Sequence, residues 1–363
     1  MNSSIAAAEG VLPSRPSDRV VVSPRWRMGQ TVVSILILLL ALYYNIKGYK
    51  SPVGESGLAD KVTPFDQIGF LLLLALTWLT TPVAGVIATT TFQEAIRRRW
   101  MSALFIFALV MLALSTFFTW MQPGEEEKFL RDFGMGFIII ITLLMAIFLG
   151  VALVPPEIER RTIFTILSKP VDRLEFLIGK FLGLALTLFA NLFFLALMFM
   201  ISYALFYLRE KQWDFGAAMA GGDGAPGLAF DLANLARALI LQYGQLLIMA
   251  ALALMLSLVV SNITAIVFCF VAYFGGQGTA FLEHMGGDHA ADQTQGGLSG
   301  PVLGLVRTLT FALPRLDRFD VRERLVTDMP IAFNYIWKAF GSGLIYIAVL
   351  LTIAYLIFSD REF

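Results

Sequence analysis

Residues 159–170 read ERRTIFTILSKP and lie between two long apolar runs. This stretch places four charged side chains and a proline in a chain that is otherwise mostly apolar. Before it, Pro155 and Pro156 end the preceding run and suit the first turn of a new helix. After it, Pro170 disfavours helical backbone at Lys169 and ends the segment. The pattern predicts a short charged helix between two sharp breaks.

The polar and apolar residues of this segment are ordered in a way that a plain loop does not require. Glu157 and Glu159 fall in the predicted first turn, where the positive end of the helix dipole favours acids. Ile163 and Phe164 supply apolar contacts close to the charges. We interpret the segment as a contact surface for a soluble protein. The alternative is an interfacial helix that rests on lipid.

A second helix start follows at once. Asp172 stands three residues before Glu175, which is the spacing of a capping box. We therefore expect a new helix to begin there and to run into the next apolar segment.

The composition is that of a polytopic membrane protein. The 363 residues are 58% hydrophobic and only 15% charged, against about 25% charged residues in soluble domains. The 27 basic and 27 acidic residues cancel, so nothing favours nucleic acid as a partner. The single cysteine, Cys269, excludes an intrachain disulfide and falls inside an apolar run, where we expect it to pack. The first apolar run follows a tail with several arginines and no convincing cleavage site, which predicts a signal anchor.

Apolar runs of about 20 residues predict an all-α protein with about eight transmembrane helices, because a spanning helix rises about 1.5 Å per residue. We place these spans at about 29–47, 67–89, 101–121, 134–154, 181–207, 236–259, 262–282 and 337–358.

Lysine and arginine placement predicts that both termini are cytoplasmic. With eight spans, one face of the membrane receives most of the basic segments. These are the N-terminal tail, the joint before the third span, the joint after the fourth span and the C-terminus. The opposite face carries external loops at 208–235 and 283–336, the second with two short helices over about 303–325. We expect Asp231 to cap the helix that follows the first of these loops.

These boundaries divide the chain into three parts. We predict a cytoplasmic tail over 1–28, two additional N-terminal spans over 29–90 and a core over 91–363. The segment 155–180 is the cytoplasmic joint of that core.

TFQEAIRRRW, residues 91–100, predicts a short helix before the third span. Phe92 lies on an apolar face, and Glu94 lies on the other face with most of the basic triplet. Such a helix suits the inner membrane interface, with its arginines near anionic headgroups. The alternative is a basic flank that only fixes topology. The basic residues are Arg97, Arg98 and Arg99.

The sequence lacks the residues that are typical of several functions. No G-x-x-x-x-G-K-[ST] motif is present to hold nucleotide phosphates, and GKFLG at 179–183 lacks the glycine-rich loop and the Ser/Thr. No catalytic motif is found, and the spacing in EHMGGDH, 283–289, matches no metal site, so we expect no metal, no cofactor and no enzymatic activity in this chain. The predicted spans have no charged residue near their centres, which disfavours an ion-coupled secondary transporter. Polar residues at depth could line a substrate path or bond neighbouring helices, and these are Asn191, Gln242 and Gln245.

Four stretches resemble the permease subunits of ABC-2 type transporters, with a branch similar to bacterial permeases of multi-copper enzyme maturation, sodium export and gliding systems. The resemblance covers about residues 90–363, and the first 90 residues depart from the family's six-span core. The stretches are TFQEAIRRRW, ERRTIFTILSKPVDRLEFLIGKFLG, LALMLSLVVSNITAIVFCFVAYFGG, and LPRLDRFDVRERL followed by a final span ending in FSDREF.

The resemblance implies an exporter of the bacterial cytoplasmic membrane without its own motor. Two copies of a separate ATPase, which uses ATP and Mg, would bind beneath two permease subunits that form a homodimer or a homologous heterodimer. An alternative is a non-transporting mechanotransmission subunit that acts on a periplasmic or envelope partner. By the resemblance, the ATPase contact would consist of Glu157, Glu159, Arg160, Arg161, Phe164, Ser168, Lys169 and Pro170.

Overall fold

Every regular element that the structure describes is a helix, as the sequence predicts. A computed structural model describes residues 28–39, 71, 74–75, 82–118, 124–153, 172–210, 216, 227–278, 315–327 and 329–360. The helices are α1 Met28–Leu39, α2 Pro82–Ile96, α3 Arg99–Phe118, α4 Glu126–Leu153, α5 Arg173–Glu210, α6 Leu228–Val259, α7 Asn262–Gln277, α8 Arg322–Val326 and α9 Phe333–Asp360.

Four of these helices, α4, α5, α6 and α9, are long and apolar enough to cross a membrane. Together α2 and α3 pass the same test, but they are bent by 68° where they meet. Both α1 and α7 are apolar but shorter, and α7 has 16 residues. The described residues thus form a polytopic all-helical protein with four to five candidate spans, and eight spans stay a prediction.

The predicted helix 91–100 is not a separate helix, and this corrects the sequence interpretation. Residues 91–96 are the last turns of α2, which begins at Pro82, a residue suited to the first turn of a helix. The Arg98 N–H donates to the Ala95 carbonyl at 3.2 Å, an i to i−3 bond that tightens the end of α2. Packing of α2 on α5 extends the helix upstream, so it runs across the predicted boundary at residue 90.

Two glycines let α2 and α5 approach closely. A Cβ atom placed on Gly183 would lie 2.6 Å from the Ala88 carbonyl oxygen, and one on Gly179 would lie 2.7 Å from the Ile87 Cβ. Neither distance is possible for a real side chain, so both positions require glycine. The stretch GKFLG is thus a small-residue packing motif, in which helices meet through glycines four residues apart.

The central helix is α6, which packs against α4, α5, α7 and α9. Its small residues allow close contact there as well. A Cβ atom on Gly150 of α4 would lie 2.6 Å from the Cβ of Ala253. Cys269 of α7 is fully buried in the apolar core, as expected for a packing residue.

Side-chain contacts define two ends of the bundle. At one end, the start of α4, the end of α5 and the start of α6 meet residues 315–332. At the other end, the end of α4 and the start of α5 meet the bend between α2 and α3 and the last turn of α9. We call these the outer end and the inner end, because this grouping follows the predicted alternation of external and cytoplasmic helix ends.

Gly183→Ala should destabilise the protein, because its methyl group would meet the Ala88 carbonyl and force α2 away from α5. We expect a loss of about 1 to 3 kcal/mol, the usual cost of overpacking. The measurement is the thermal midpoint of the purified protein in detergent. Gly278→Ala is the control, since its Cβ would lie at an ordinary 3.4 Å from the nearest atom. Equal midpoints for the two variants would contradict this packing.

Candidate functional site

The eight residues predicted to contact an ATPase lie within 154–171, outside the described residues. The structure instead describes both flanks of that segment, which are the last turn of α4 and the first turns of α5. The contacts of these two flanks determine which helices a force on the segment would move.

The downstream flank begins with the predicted capping box. The Asp172 N–H donates to Glu175 Oε2 at 3.4 Å, and the Asp172 carbonyl accepts the first bond of α5 from Phe176 at 3.1 Å. This start fixes the direction in which α5 leaves the segment.

Arg173, in the first turn of α5, binds the end of α9. Its Nη1 donates to the Ser359 carbonyl at 2.6 Å and to the Phe358 carbonyl at 3.3 Å. Carbonyls in the last turn of a helix lack partners within the helix, and a cation satisfies them while countering the negative end of the dipole. The Phe358 ring also stacks on Phe176 of α5, with centroids 5.9 Å apart. The downstream flank is thereby joined to α9.

Glu94 of α2 joins two cations, Arg98 in the bend between α2 and α3 and Lys180 of α5. Its Oε1 lies 2.7 Å from Nη2 of Arg98, and its Oε2 lies 3.8 Å from Nζ of Lys180. Lys180 is only 4% exposed, whereas Glu94 is 45% exposed, so the lysine stem is buried while its ammonium group reaches a partner near solvent. A buried ammonium group is costly without such a partner.

Arg98 also holds the upstream flank. Its Nη2 donates to the Ala152 carbonyl at 3.1 Å, one residue before α4 ends. We call Glu94, Arg98, Lys180 and the Ala152 carbonyl the Glu94 network. Through it, the chain just before residue 154 and the first turns of α5 are tied to the same bend between α2 and α3.

Sequence reasoning identified Glu94 and Arg98 but missed their partners. The sequence places Lys180 in the cytoplasmic joint 155–180, whereas in the structure it lies two turns inside α5. The glycines on either side of it, Gly179 and Gly183, were the available signal, because they show where α2 comes close. Of the remaining residues of 91–100, Phe92 is half-buried, and Arg97 and Arg99 are exposed with no ionic partner in the described part of the chain.

The three polar residues predicted for a substrate path lie in different settings. Asn191 Nδ2 donates to the Thr187 carbonyl of its own helix at 2.8 Å, and its side chain lines a groove of about 280 Å³ between α3 and α5. Gln242 and Gln245 are buried in α6. The side-chain amide nitrogens of both are buried and make no hydrogen bond to any residue that the structure describes. Their role in a substrate path stays a prediction.

A buried polar cluster lies at the outer end. The Tyr203 hydroxyl donates to Glu127 at 2.6 Å and lies 3.1 Å from Asp231. The Arg131 guanidinium lies 3.3 Å from Glu127 and 3.8 Å from Asp231. Asp231 therefore does not cap α6 as predicted, because α6 begins at Leu228 and turns this carboxylate inward toward Arg131.

The same end also fixes residues 315–327 and 329–332 to the bundle. Arg131 Nη1 donates to the Leu325 carbonyl at 3.2 Å, and Arg322 Nη2 donates to Asp132 Oδ2 at 2.9 Å. Arg237 of α6 donates to the Ile331 carbonyl at 3.1 Å. The predicted second external helix is present as a 3-10 turn over Asp317–Phe319 followed by α8. The predicted first external helix and the EHMGGDH stretch lie outside the described residues.

Within the described ranges, no group of three or more His, Cys, Asp or Glu side chains is placed to hold a metal ion.

Arg131→Met should destabilise the protein strongly, because it leaves Glu127 and Asp231 together without their cation. Breaking a buried pair by removing one partner costs about 3 to 5 kcal/mol. The thermal midpoint in detergent should fall, and it should recover in part in Arg131→Met with Asp231→Asn. Arg209→Met, at an exposed position of the same end, is the control. A midpoint that matches the control would show that the cluster contributes little.

A comparison with protein families gives a match that covers nearly the whole chain. The family model described as ABC-2 family transporter protein matches residues 25–363. No curated protein matches the sequence. The match includes the bend between α2 and α3, both flanks of 154–171 and the outer cluster. With its apolar spanning helices, the chain belongs to the ABC-2 transporter family and is a membrane-embedded permease subunit of an ABC transporter.

Proposed function

We propose that this permease is driven by two copies of a separate ATPase and exports its substrate across the bacterial cytoplasmic membrane. Two permease subunits, identical or homologous, would form the membrane part. ATP and Mg would bind to the motor chains, and the segment 155–170 would receive their movement. Both termini would be cytoplasmic, so the motor would lie at the inner end.

The observation that supports this proposal is the anchoring of both flanks of the segment. Upstream, Arg98 holds the last turn of α4, and downstream, Lys180 and Arg173 attach α5 to α2 and to α9. A displacement of the segment would therefore move three membrane-crossing helices together. A loop that only connects two spans does not need ionic contacts to two further helices on its flanks.

The contact itself would be made by the residues that the resemblance singles out. Glu157, Glu159, Arg160, Arg161 and Lys169 provide charge for a polar protein surface. Phe164 provides the aromatic anchor that such interfaces favour, with Ser168 and Pro170 at the end of the segment.

Glu159→Lys with Arg160→Glu should release or uncouple the motor. The permease is expressed with candidate ATPases from its own genome, and co-purification and ATP hydrolysis are measured in nanodiscs. We expect the unchanged chain to retain an ATPase and the charge swap to lose either binding or stimulated hydrolysis. If no ATPase binds, or the swap alters neither quantity, the segment is an interfacial loop and the proposal fails.

The flank contacts provide a second arm of the same experiment. Glu94→Gln with Lys180→Met should keep the ATPase bound but reduce stimulated hydrolysis several-fold, since the contact surface is intact while its connection to α2 is lost. Glu125→Gln with Lys128→Met is the matched control, because that exposed pair lies at the outer end. Equal stimulation in both double variants would exclude the Glu94 network from coupling.

A second candidate function is mechanotransmission to an envelope partner. It is supported by the attachment of residues 315–332 to α4 and α6 through Arg131, Arg322 and Arg237. Spin labels at Thr327→Cys, in a Cys269→Ala background, report the distance between the external segments of two copies. If ATP binding by the ATPase moves an envelope partner through this segment, the distance between the two labels changes by several ångströms in the ATP-bound complex. An unchanged distance would contradict this function.

A further inference from the structure

The aromatic ring of Phe319 lies between α6 and α9. A Cβ atom placed on Gly244 of α6 would lie 2.7 Å from Cε1 of this ring, and one placed on Gly343 of α9 would lie 3.0 Å from its Cζ. Phe319 is buried, and its ring packs edge to face with Phe340 of α9, with centroids 6.4 Å apart. Gly343 lies ten residues after the first residue of α9. At about 1.5 Å per residue, the ring therefore lies about 15 Å along that helix from its outer end.

The two glycines make room for the ring. At both positions the atom nearest to an added Cβ belongs to Phe319. Glycine inside a helix is less favourable than alanine, so it is expected there mainly where another group approaches closely. Because one ring contacts both helices, it sets the separation between α6 and α9 at this level. We call this ring the Phe319 wedge.

Further along the bundle from the wedge, α9 is not packed closely against α5. An apolar cavity of about 500 Å³ lies between α5, α6 and α9. It adjoins a space of about 10 Å³ against the Phe319 ring, since both are lined by Leu247, Phe340, Leu344 and Ile347. Closely packed helices shift only by repacking many side chains, whereas a cavity leaves a helix room to move. The separation of α6 and α9 is therefore not fixed by close packing on the α5 side.

The turn that carries Phe319 is joined to α9 and to α4. The Tyr335 hydroxyl of α9 donates to the Arg318 carbonyl. The Arg322 guanidinium lies against Gly136 of α4, where an added Cβ atom would be 2.9 Å from Nη2. A displacement of Phe319 would therefore reach α4 through Arg322.

The other end of α9 is bound next to the predicted motor contact. Arg173, in the first turn of α5, donates to the Ser359 and Phe358 carbonyls in the last turn of α9. Between this contact and the wedge, α9 is one continuous helix. Rigid helices can carry coupling between distant sites. Helix α9 thus connects the contact of Arg173 at the inner end with the ring of Phe319.

We propose that Phe319 is a positioning residue that couples the position of α9 to residues 315–327. A motor that displaces the segment 155–170 would move α9 through Arg173, change the separation of α6 and α9, and shift the wedge with its turn. This role rests on the proposed drive by an ATPase, whereas the coupling within the chain does not. A ring that only fastens the turn to the bundle would not respond to a change at the other end of α9.

A buried residue of the same segment reports how often the segment opens. Val321 is only 4% exposed. In Val321→Cys, made in a Cys269→Ala background, a maleimide therefore reacts only when the segment leaves the bundle. The full chain in nanodiscs, without any ATPase, is treated with a membrane-impermeant maleimide, and the rate of modification is measured.

Distant substitutions act independently unless the structure joins them, and the effects of two independent changes on the rate multiply. Arg173→Met frees the last turn of α9 and should raise the modification rate about three-fold or more, because α9 then holds the wedge less firmly. Phe319→Leu should also raise the rate by loosening the segment. When both changes are present, Arg173→Met should add nothing, since no ring remains to follow α9.

Two control variants accompany this cycle. Phe333→Ala removes an exposed ring from the first position of α9, and the effect of Arg173→Met should persist in it. Arg97→Met removes an exposed cation at the inner end and should leave the rate unchanged. Phe319→Met repeats the test with a flexible side chain that fills the slot without setting its width, and it replaces Phe319→Leu if that variant does not fold.

Two outcomes would contradict the coupling. They are a rate that Arg173→Met leaves unchanged, and a rise by equal factors with and without the Phe319 ring. The second would make Phe319 a fixed anchor of the segment. Because no motor is present, failure of the proposed drive by an ATPase would leave this result unaffected.

Discussion

A bilayer interior contains no water to solvate an ion or an unpaired peptide group, and this constraint orders the molecule. Its spanning segments are helices, and the ionic contacts that the structure describes lie at the two ends of the bundle. At the inner end, Glu94 remains near solvent while it binds the buried ammonium of Lys180. At the outer end, Arg131 and Asp231 are both buried, and the Tyr203 hydroxyl joins them. Apolar packing holds the rest of the bundle, and the ionic contacts at its ends join particular helices to one another.

Local patterns in the sequence predicted local structure well. The all-helical class, the capping box at Asp172 and Glu175, and the short helix near Arg322 follow from hydropathy and residue spacing. These features depend on neighbours within one or two helical turns. The packing of Cys269 follows in the same way from its apolar surroundings.

Features that depend on distant contacts were not predicted. The bend between α2 and α3 contains no proline or glycine, and its position depends on how α2 packs against α5. The pairs Glu94–Lys180 and Asp132–Arg322 join residues far apart in the chain, the second 190 positions apart. At Asp231 a local role and a distant contact compete. Its position after a glycine-rich stretch suggests a helix cap, but burial beside Arg131 gives the carboxylate a different partner. A single sequence contains no signal that chooses between those outcomes.

The close contact at Gly179 and Gly183 also bears on residues before the predicted boundary at residue 90, where the family match, which begins at residue 25, is already under way. Helix α2 includes residues 82–89, which the sequence assigns to the N-terminal addition, and it touches α5 backbone to backbone. A truncation that begins the chain at residue 91 would remove the Ile87 and Ala88 contacts of Gly179 and Gly183 and expose that face of α5. Residues 82–89 are therefore structurally inseparable from the permease, and they would move with α5 in any motion that α5 makes.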